Sequence, residues 1–143
     1  MSGWKRLEQS VYFYEVKLVI YGVGTDICKL SRIESMKSLD AFAEKILSDN
    51  EKKIFSSKNE TQKIKFLGLQ FAAKEAFVKA LGTGFKKPMM PNQISVLRND
   101  EGKPIIEFDE SIKSSINDLG IKSSHVSLSD DGGYAVAFVI LEA

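Results

Sequence analysis

The segment FAAKEAFVKALGTG, Phe71 to Gly84, constrains the fold more than any other part of the chain. A helix stacks residues four apart on one face, so Phe71, Glu75 and Lys79 share a stripe, with Lys74 beside it. Leu69, Ala72, Ala73, Ala76, Phe77, Ala80 and Leu81 cover most of the remaining circumference. A helix that is apolar nearly all round is buried on most sides, which predicts a central helix wrapped by the other elements. Three charges are then left on a narrow strip. An exposed Glu–Lys pair, worth about 0.2–0.5 kcal/mol, is the ordinary reading of such a strip; a strip this narrow also suits the wall of a cleft.

The other elements follow from local signals. Asn59 or Thr61 starts the central helix and Gly82, suited to a left-handed residue, stops it near Leu81. Ser31-x-x-Glu34 and Ser48-x-x-Glu51 have the form of capping boxes and predict short helices from about residues 32 and 49. Residues 40–47 are helical in pattern. Val16–Ile27 is β-branched and punctuated by glycine, a strand running into a loop at Asp26. Asn99-Asp100-Glu101-Gly102 lies between two apolar runs, Ile94–Leu97 and Pro104–Phe108, and predicts a hairpin. Asp109 caps a helix that ends near Leu119-Gly120, and a second hairpin pairs His125–Ser129 with Tyr134–Leu141 across residues 130–133. A strand, then helices, two strands, a helix and two strands make an α+β protein with a mostly antiparallel sheet. No repeat or linker interrupts it, so residues 19–143 are expected to be one domain, with residues 1–18 as an amino-terminal extension.

Composition narrows the chemistry. At 143 residues the chain is large enough for one core. One cysteine, Cys28, and one histidine, His125, exclude an internal disulfide and leave a structural zinc site short of ligands. No apolar run approaches the roughly 20 residues that cross a bilayer, and the amino terminus lacks a small-residue cleavage site. The expectation is a cytoplasmic protein without a membrane anchor. A net charge of +1 hides an asymmetry: residues 29–98 carry 14 Lys/Arg against 7 Asp/Glu, whereas residues 99–143 carry 3 against 9. The basic part suits an anionic partner or a merely solvated face.

A second carboxylate, Asp26, follows Gly22-Val23-Gly24-Thr25 at a strand end, where glycines allow close backbone approach. If Asp26 meets Glu75, two carboxylates with no histidine cluster suit a hard cation such as Mg2+, held with substrate phosphates. Lys74, Lys79 and the Gly82-Thr83-Gly84 turn are then candidate phosphate partners.

Together, GVGTDICKLSRIESM, FAAKEAFVKALGTG and HVSLSDDGGYAVAFVILE resemble the holo-acyl-carrier-protein synthase branch of the 4′-phosphopantetheinyl transferases. The likeness spans about residues 19–142 and includes the G-x-D near the start and the F/W-x-x-K-E-x-x-x-K signature. It implies the fold of that family, with Asp26 and Glu75 as magnesium ligands and Lys79 as the lysine closing the signature. The implied reaction moves the phosphopantetheine arm of coenzyme A onto a serine of apo acyl carrier protein and releases adenosine 3′,5′-bisphosphate. Glu75 and Lys79 would be catalytic; Lys74, Lys79, Gly82, Thr83 and Gly84 would lie near the coenzyme A phosphates. A homotrimer with active sites at subunit interfaces is also implied, as is docking of the acidic carrier on a basic helix. Arg32 matches that helix, with Lys29, Lys37, Lys45, Lys52 and Lys53 in the same stretch.

Two positions depart from the pattern. Gln70 stands where many relatives have an arginine, and Asp130 follows Ser127-Leu128-Ser129 where many have a histidine. A relative that binds coenzyme A or another nucleotide without catalysis is the competing expectation; retention of Asp26, Glu75 and Lys79 weighs against it. Nucleic acid is not an expected partner, since the basic stretch lacks the interleaved aromatics of a single-strand platform.

Overall fold

The computed structural model describes residues 19–143. The expected extension, and the first residues of the strand read from Val16, lie outside the described residues. Strand β1 spans Ile20–Lys29 and continues directly into helix α1, Leu30–Glu34. Ser31 does not cap α1, contrary to the capping-box reading. The helix begins two residues earlier, and the Leu30 amide donates to the Gly133 carbonyl at 2.9 Å, so the turn of the last hairpin supplies the partner a cap would have given. Helices α2 (Leu39–Ile46) and α3 (Asp49–Ser56) follow, capped by Ser38 and Ser48. At Ser48 the capping box with Glu51 is complete in both directions.

Helix α4, Glu60–Leu81, is the predicted central helix, started by an Asn59–Gln62 capping box and ended by left-handed Gly82. A 3₁₀ turn at Pro91–Gln93 leads to the hairpin of β2 (Ile94–Arg98) and β3 (Pro104–Phe108). Helix α5 is Glu110–Asp118, and a second hairpin joins β4 (Ser123–Asp131) to β5 (Tyr134–Glu142). Among the described residues the strands pair antiparallel, in two sheets: a three-stranded sheet ordered β1-β5-β4, and the β2-β3 pair.

One face of the larger sheet lies on α4. There Cys28, Ala135, Ala137, Val139 and Leu141 meet Ala72, Ala73, Ala76, Phe77 and Ala80, all buried. Small residues on both surfaces bring helix and strand very close. A Cβ added to Gly24 would fall 1.8 Å from the Ala76 carbonyl oxygen, and one added to Gly22 equally close to that of Ala80. The other face leaves Val23 at 51%, Ile27 at 62% and Phe138 at 41% exposed. No helix among the described residues is long and apolar enough to cross a membrane.

Candidate active site

Alternation along β1 puts Gly22, Gly24, Asp26 and Cys28 on the side facing α4. Because glycines at 22 and 24 let the strand lie against the helix, Asp26 arrives beside the Glu75–Lys79 stripe. Lys79 Nζ donates to Asp26 Oδ1 at 2.9 Å and to the Thr25 carbonyl at 3.1 Å. Its side chain is 53% exposed and that of Asp26 17%. Glu75 is half-buried. Burial pushes its carboxyl above the ordinary glutamate range; the Asp26 charge pushes the same way, and Lys79 opposes them in part. Asp26 and Glu75 share the wall of a cavity of about 210 Å3 with Arg32, Cys28, Ile33, Met36, Phe42 and Phe71. The structure thus brings together Asp26, Glu75, Lys79 and Arg32 from three elements.

Among the described residues no group of three or more His, Cys, Asp or Glu side chains converges. Two carboxylates alone fill only part of a shell. They suit a hard cation such as Mg2+, which commonly takes one or two protein carboxylates and completes its octahedron with water and phosphate oxygens. The like charge felt by Glu75 is the electrostatic mark of such a pair.

Gly82, Thr83 and Gly84 are exposed just past the last turn of α4, with Gly82 and Gly84 in the left-handed region. Gly22 packs on Ala80, so this loop lies toward the Gly22 end of β1.

Lys74 is a correction. Expected among the phosphate partners, it is 0% exposed. Its three N–H donors go to Glu51 Oε1 at 2.5 Å, the Ile46 carbonyl at 2.6 Å and the Pro91 carbonyl at 3.0 Å. No donor remains for a ligand. Glu51, also fully buried, accepts from the amides of Ser48 at 2.8 Å and Val96 at 3.0 Å and from the Gln70 side chain. Gln70 therefore belongs to this interior network and donates also to the Val96 carbonyl at 2.7 Å. Asp130 pairs with Lys65 at 3.0 Å. His125 lies on the exposed sheet face, away from the carboxylates, and bonds to Glu142.

The sequence reading missed a cavity of about 670 Å3. Ile54, Phe66, Leu69, Val96 and Leu128 give it an apolar lining, and Lys58, Lys65 and Arg98 add three cations. Its residues come from five elements, so no local pattern announces it. On α4 its contacts, Gln62, Phe66 and Leu69, lie about half a turn round the axis from Phe71 and Glu75.

The α+β frame thus holds two acids and a lysine between one strand and a central helix. The chain belongs to the 4′-phosphopantetheinyl transferase superfamily, whose family model it matches over residues 22–139. It is 40% identical over 126 residues to the holo-[acyl-carrier-protein] synthase of Ruthia magnifica subsp. Calyptogena magnifica, covering 87% of this chain and 98% of that protein. The crystal structure of holo-[acyl-carrier-protein] synthase from Neisseria meningitidis superposes with a TM-score of 0.80 at 32% identity, covering 87% of this chain and all of that one. The holo-(acyl-carrier-protein) synthase from Bacillus anthracis str. Ames, solved in complex with CoA (3′,5′-ADP), gives a TM-score of 0.74 at 38% identity, covering 87% and 97% of the two chains.

Proposed function

We propose that residues 19–143 form a single transferase domain that moves the 4′-phosphopantetheine arm of coenzyme A to a serine of apo acyl carrier protein in the cytoplasm. The observation that carries this reading is the meeting of Asp26, Glu75 and Lys79 between β1 and α4. The serine Oγ forms a bond to the β-phosphorus of coenzyme A as the bond from that phosphorus to the pyrophosphate bridging oxygen breaks. The departing group is adenosine 3′,5′-bisphosphate. Asp26 and Glu75 would hold Mg2+, which supplies positive charge to the pyrophosphate oxygens as negative charge builds there.

The protein's own groups do the rest. Lys79 offers a charge-assisted donor to the same oxygens, and its present partner Asp26 is an acid it can share with a cation. Glu75 takes the serine proton directly or through water. Gly82, Thr83 and Gly84 present backbone to the phosphates. Arg32 and the apolar Ile33, Met36, Phe42 and Phe71 line the 210 Å3 cavity. That combination fits an acidic carrier presenting one apolar side chain beside its serine.

Two observations support interfacial sites in a homotrimer. The outer sheet face carries Val23, Ile27, Tyr134 and Phe138, all exposed, a surface better suited to another protomer than to water. The large cation-rimmed cavity lies on the opposite side of α4 from Asp26 and Glu75. Within one protomer the two stay apart, which is the arrangement a site shared between protomers would have.

The test is to mix the protein, apo acyl carrier protein, coenzyme A and Mg2+ and weigh the carrier. Its mass should rise by one phosphopantetheine arm, and chelation should stop the change. No gain with any apo carrier protein, while coenzyme A still binds, would favour the non-catalytic reading.

A further inference from the structure

Apolar burial does not by itself settle the rotation of α4 about its axis. Its apolar residues point in nearly all directions, so turning the helix alters the buried apolar area little. Yet a turn of about 100°, one residue's worth, would carry Glu75 away from Asp26. Ala72, Ala76, Ala80 and Ala73 span about 100° of the helix surface, so the close contact with Gly22 and Gly24 confines the rotation to that sector without fixing it within the sector. A directional interaction has to choose.

Lys74 supplies one. Its ammonium is a tripod: three donors reach the end of α2 at Ile46, α3 at Glu51 and the 3₁₀ turn at Pro91. Glu51 in turn is bonded to the start of α3, to β2 and to Gln70 on α4. No buried side-chain nitrogen or oxygen among the described residues lacks a partner, so the network is closed. Three acceptors from three directions fix a point in space, and that point belongs to the residue preceding Glu75.

We infer that Lys74 and Glu51 are positioning residues: their buried pair selects the rotation of α4 that presents Glu75 to Asp26. The inference rests on the reading that those two acids hold the metal. Buried ion pairs are often no more stabilising than apolar groups of the same size, and fixing one arrangement is among the reasons proposed for keeping them. Burial draws the Lys74 pKa down, and Glu51 counters by holding the ammonium charged; the pair works only as a pair.

The experiment compares the parent protein with the double variant Lys74→Met/Glu51→Leu. Three readings are taken: urea unfolding, kcat with KM for coenzyme A and for apo acyl carrier protein, and calorimetric titration of Mg2+ with coenzyme A present and no carrier. The variant leaves the Ser48 and Val96 amides, the Gln70 side chain and the Ile46 and Pro91 carbonyls without these partners, so its urea midpoint should fall. A positioning role predicts in addition that kcat and Mg2+ affinity per folded molecule each drop about tenfold or more, the scale seen when groups that orient metal ligands are lost. KM for coenzyme A should hold within about twofold, since neither residue has a free atom to offer it. A variant that binds Mg2+ and turns over like the parent overturns the inference. Should the double variant not fold, Glu51→Gln keeps the shape and removes the charge. Weaker Mg2+ binding per folded molecule then supports the inference, and unchanged binding overturns it. A parent that binds no Mg2+ overturns the metal reading together with this one; a parent that binds it and a variant that binds it equally well sink this inference alone.

Discussion

Two ammonium–carboxylate pairs hang from α4, five residues apart, and they are used in opposite ways. Lys74–Glu51 lies 2.5 Å apart with both side chains at 0% exposure; Lys79–Asp26 lies 2.9 Å apart with exposures of 53% and 17%. The contacts are alike and the surroundings are not. In the interior neither charge can leave its partner without being stranded in apolar surroundings, so that pair can only hold elements together. At the half-open site Asp26 can pass from Lys79 to a cation, and Lys79 from Asp26 to a phosphate, because water and ligand share the cost of the exchange. Burial, rather than residue type, separates architecture from chemistry in a sequence where both lysines belong to one signature.

The comparison breaks most visibly if the two lysines are truncated in turn. Lys74→Ala leaves the Glu51 carboxylate alone in the core and should destabilise the fold by about 3–5 kcal/mol, read from the urea midpoint. Lys79→Ala should change stability by less than about 1 kcal/mol while slowing transfer on the order of 100-fold. Equal losses of stability would erase the distinction. At the acids, Asp26→Ala and Glu75→Ala should each slow transfer on the order of 100- to 1000-fold, with circular dichroism unchanged.

Next in size, Gly24→Ala forces a Cβ toward the Ala76 carbonyl. Strand and helix must separate there, and transfer should fall by about tenfold or more through misplacement of Asp26, with Lys74 and its partners undisturbed. A crystal structure of the variant would read the displacement directly.

Glu75 adds a pH test in which the sign matters. Its carboxyl is raised by burial first and by Asp26 second. Activity requires the ionised form and should fall on acidification, and Mg2+ on the carboxylate should hold that midpoint below the one Glu75 shows in the metal-free protein. Stability of the metal-free protein runs the other way. A carboxyl raised on folding favours the fold where it is protonated, and that contribution disappears as pH climbs through the folded-state value. Glu75→Gln, always neutral, should match the parent in urea near pH 4 and gain on it toward about pH 8. A variant that loses ground as pH rises would contradict the assigned environment. The smallest effect is expected at the docking face: Arg32→Ala should raise KM for the carrier by about tenfold or less and flatten its salt dependence, leaving coenzyme A binding unchanged.

What could be read in advance follows from the range of the forces involved. Gly82, Asn59 and the Ser48–Glu51 box act within one turn of chain, so α4 and α3 were legible. Ser31 misled because its apparent box competes with a longer-range bond from Leu30 to Gly133. Asp26 and Glu75 stood out as charges in apolar or glycine-rich settings, and family resemblance joined them. Lys74 carries the same sequence signal as Lys79. Which lysine points inward depends on Ile46, Glu51 and Pro91, which converge only in three dimensions. The 670 Å3 cavity escaped for the same reason.

The central claim is that Asp26 and Glu75 jointly grip one divalent ion against the diphosphate of coenzyme A. Calorimetric titration of Mg2+ into the protein saturated with coenzyme A tests it most directly, with Asp26→Asn and Glu75→Gln as partners in the measurement. The account predicts one Mg2+ per active site in the parent and a loss of most of that affinity in each variant, with coenzyme A still bound. Full Mg2+ affinity in either variant would contradict it.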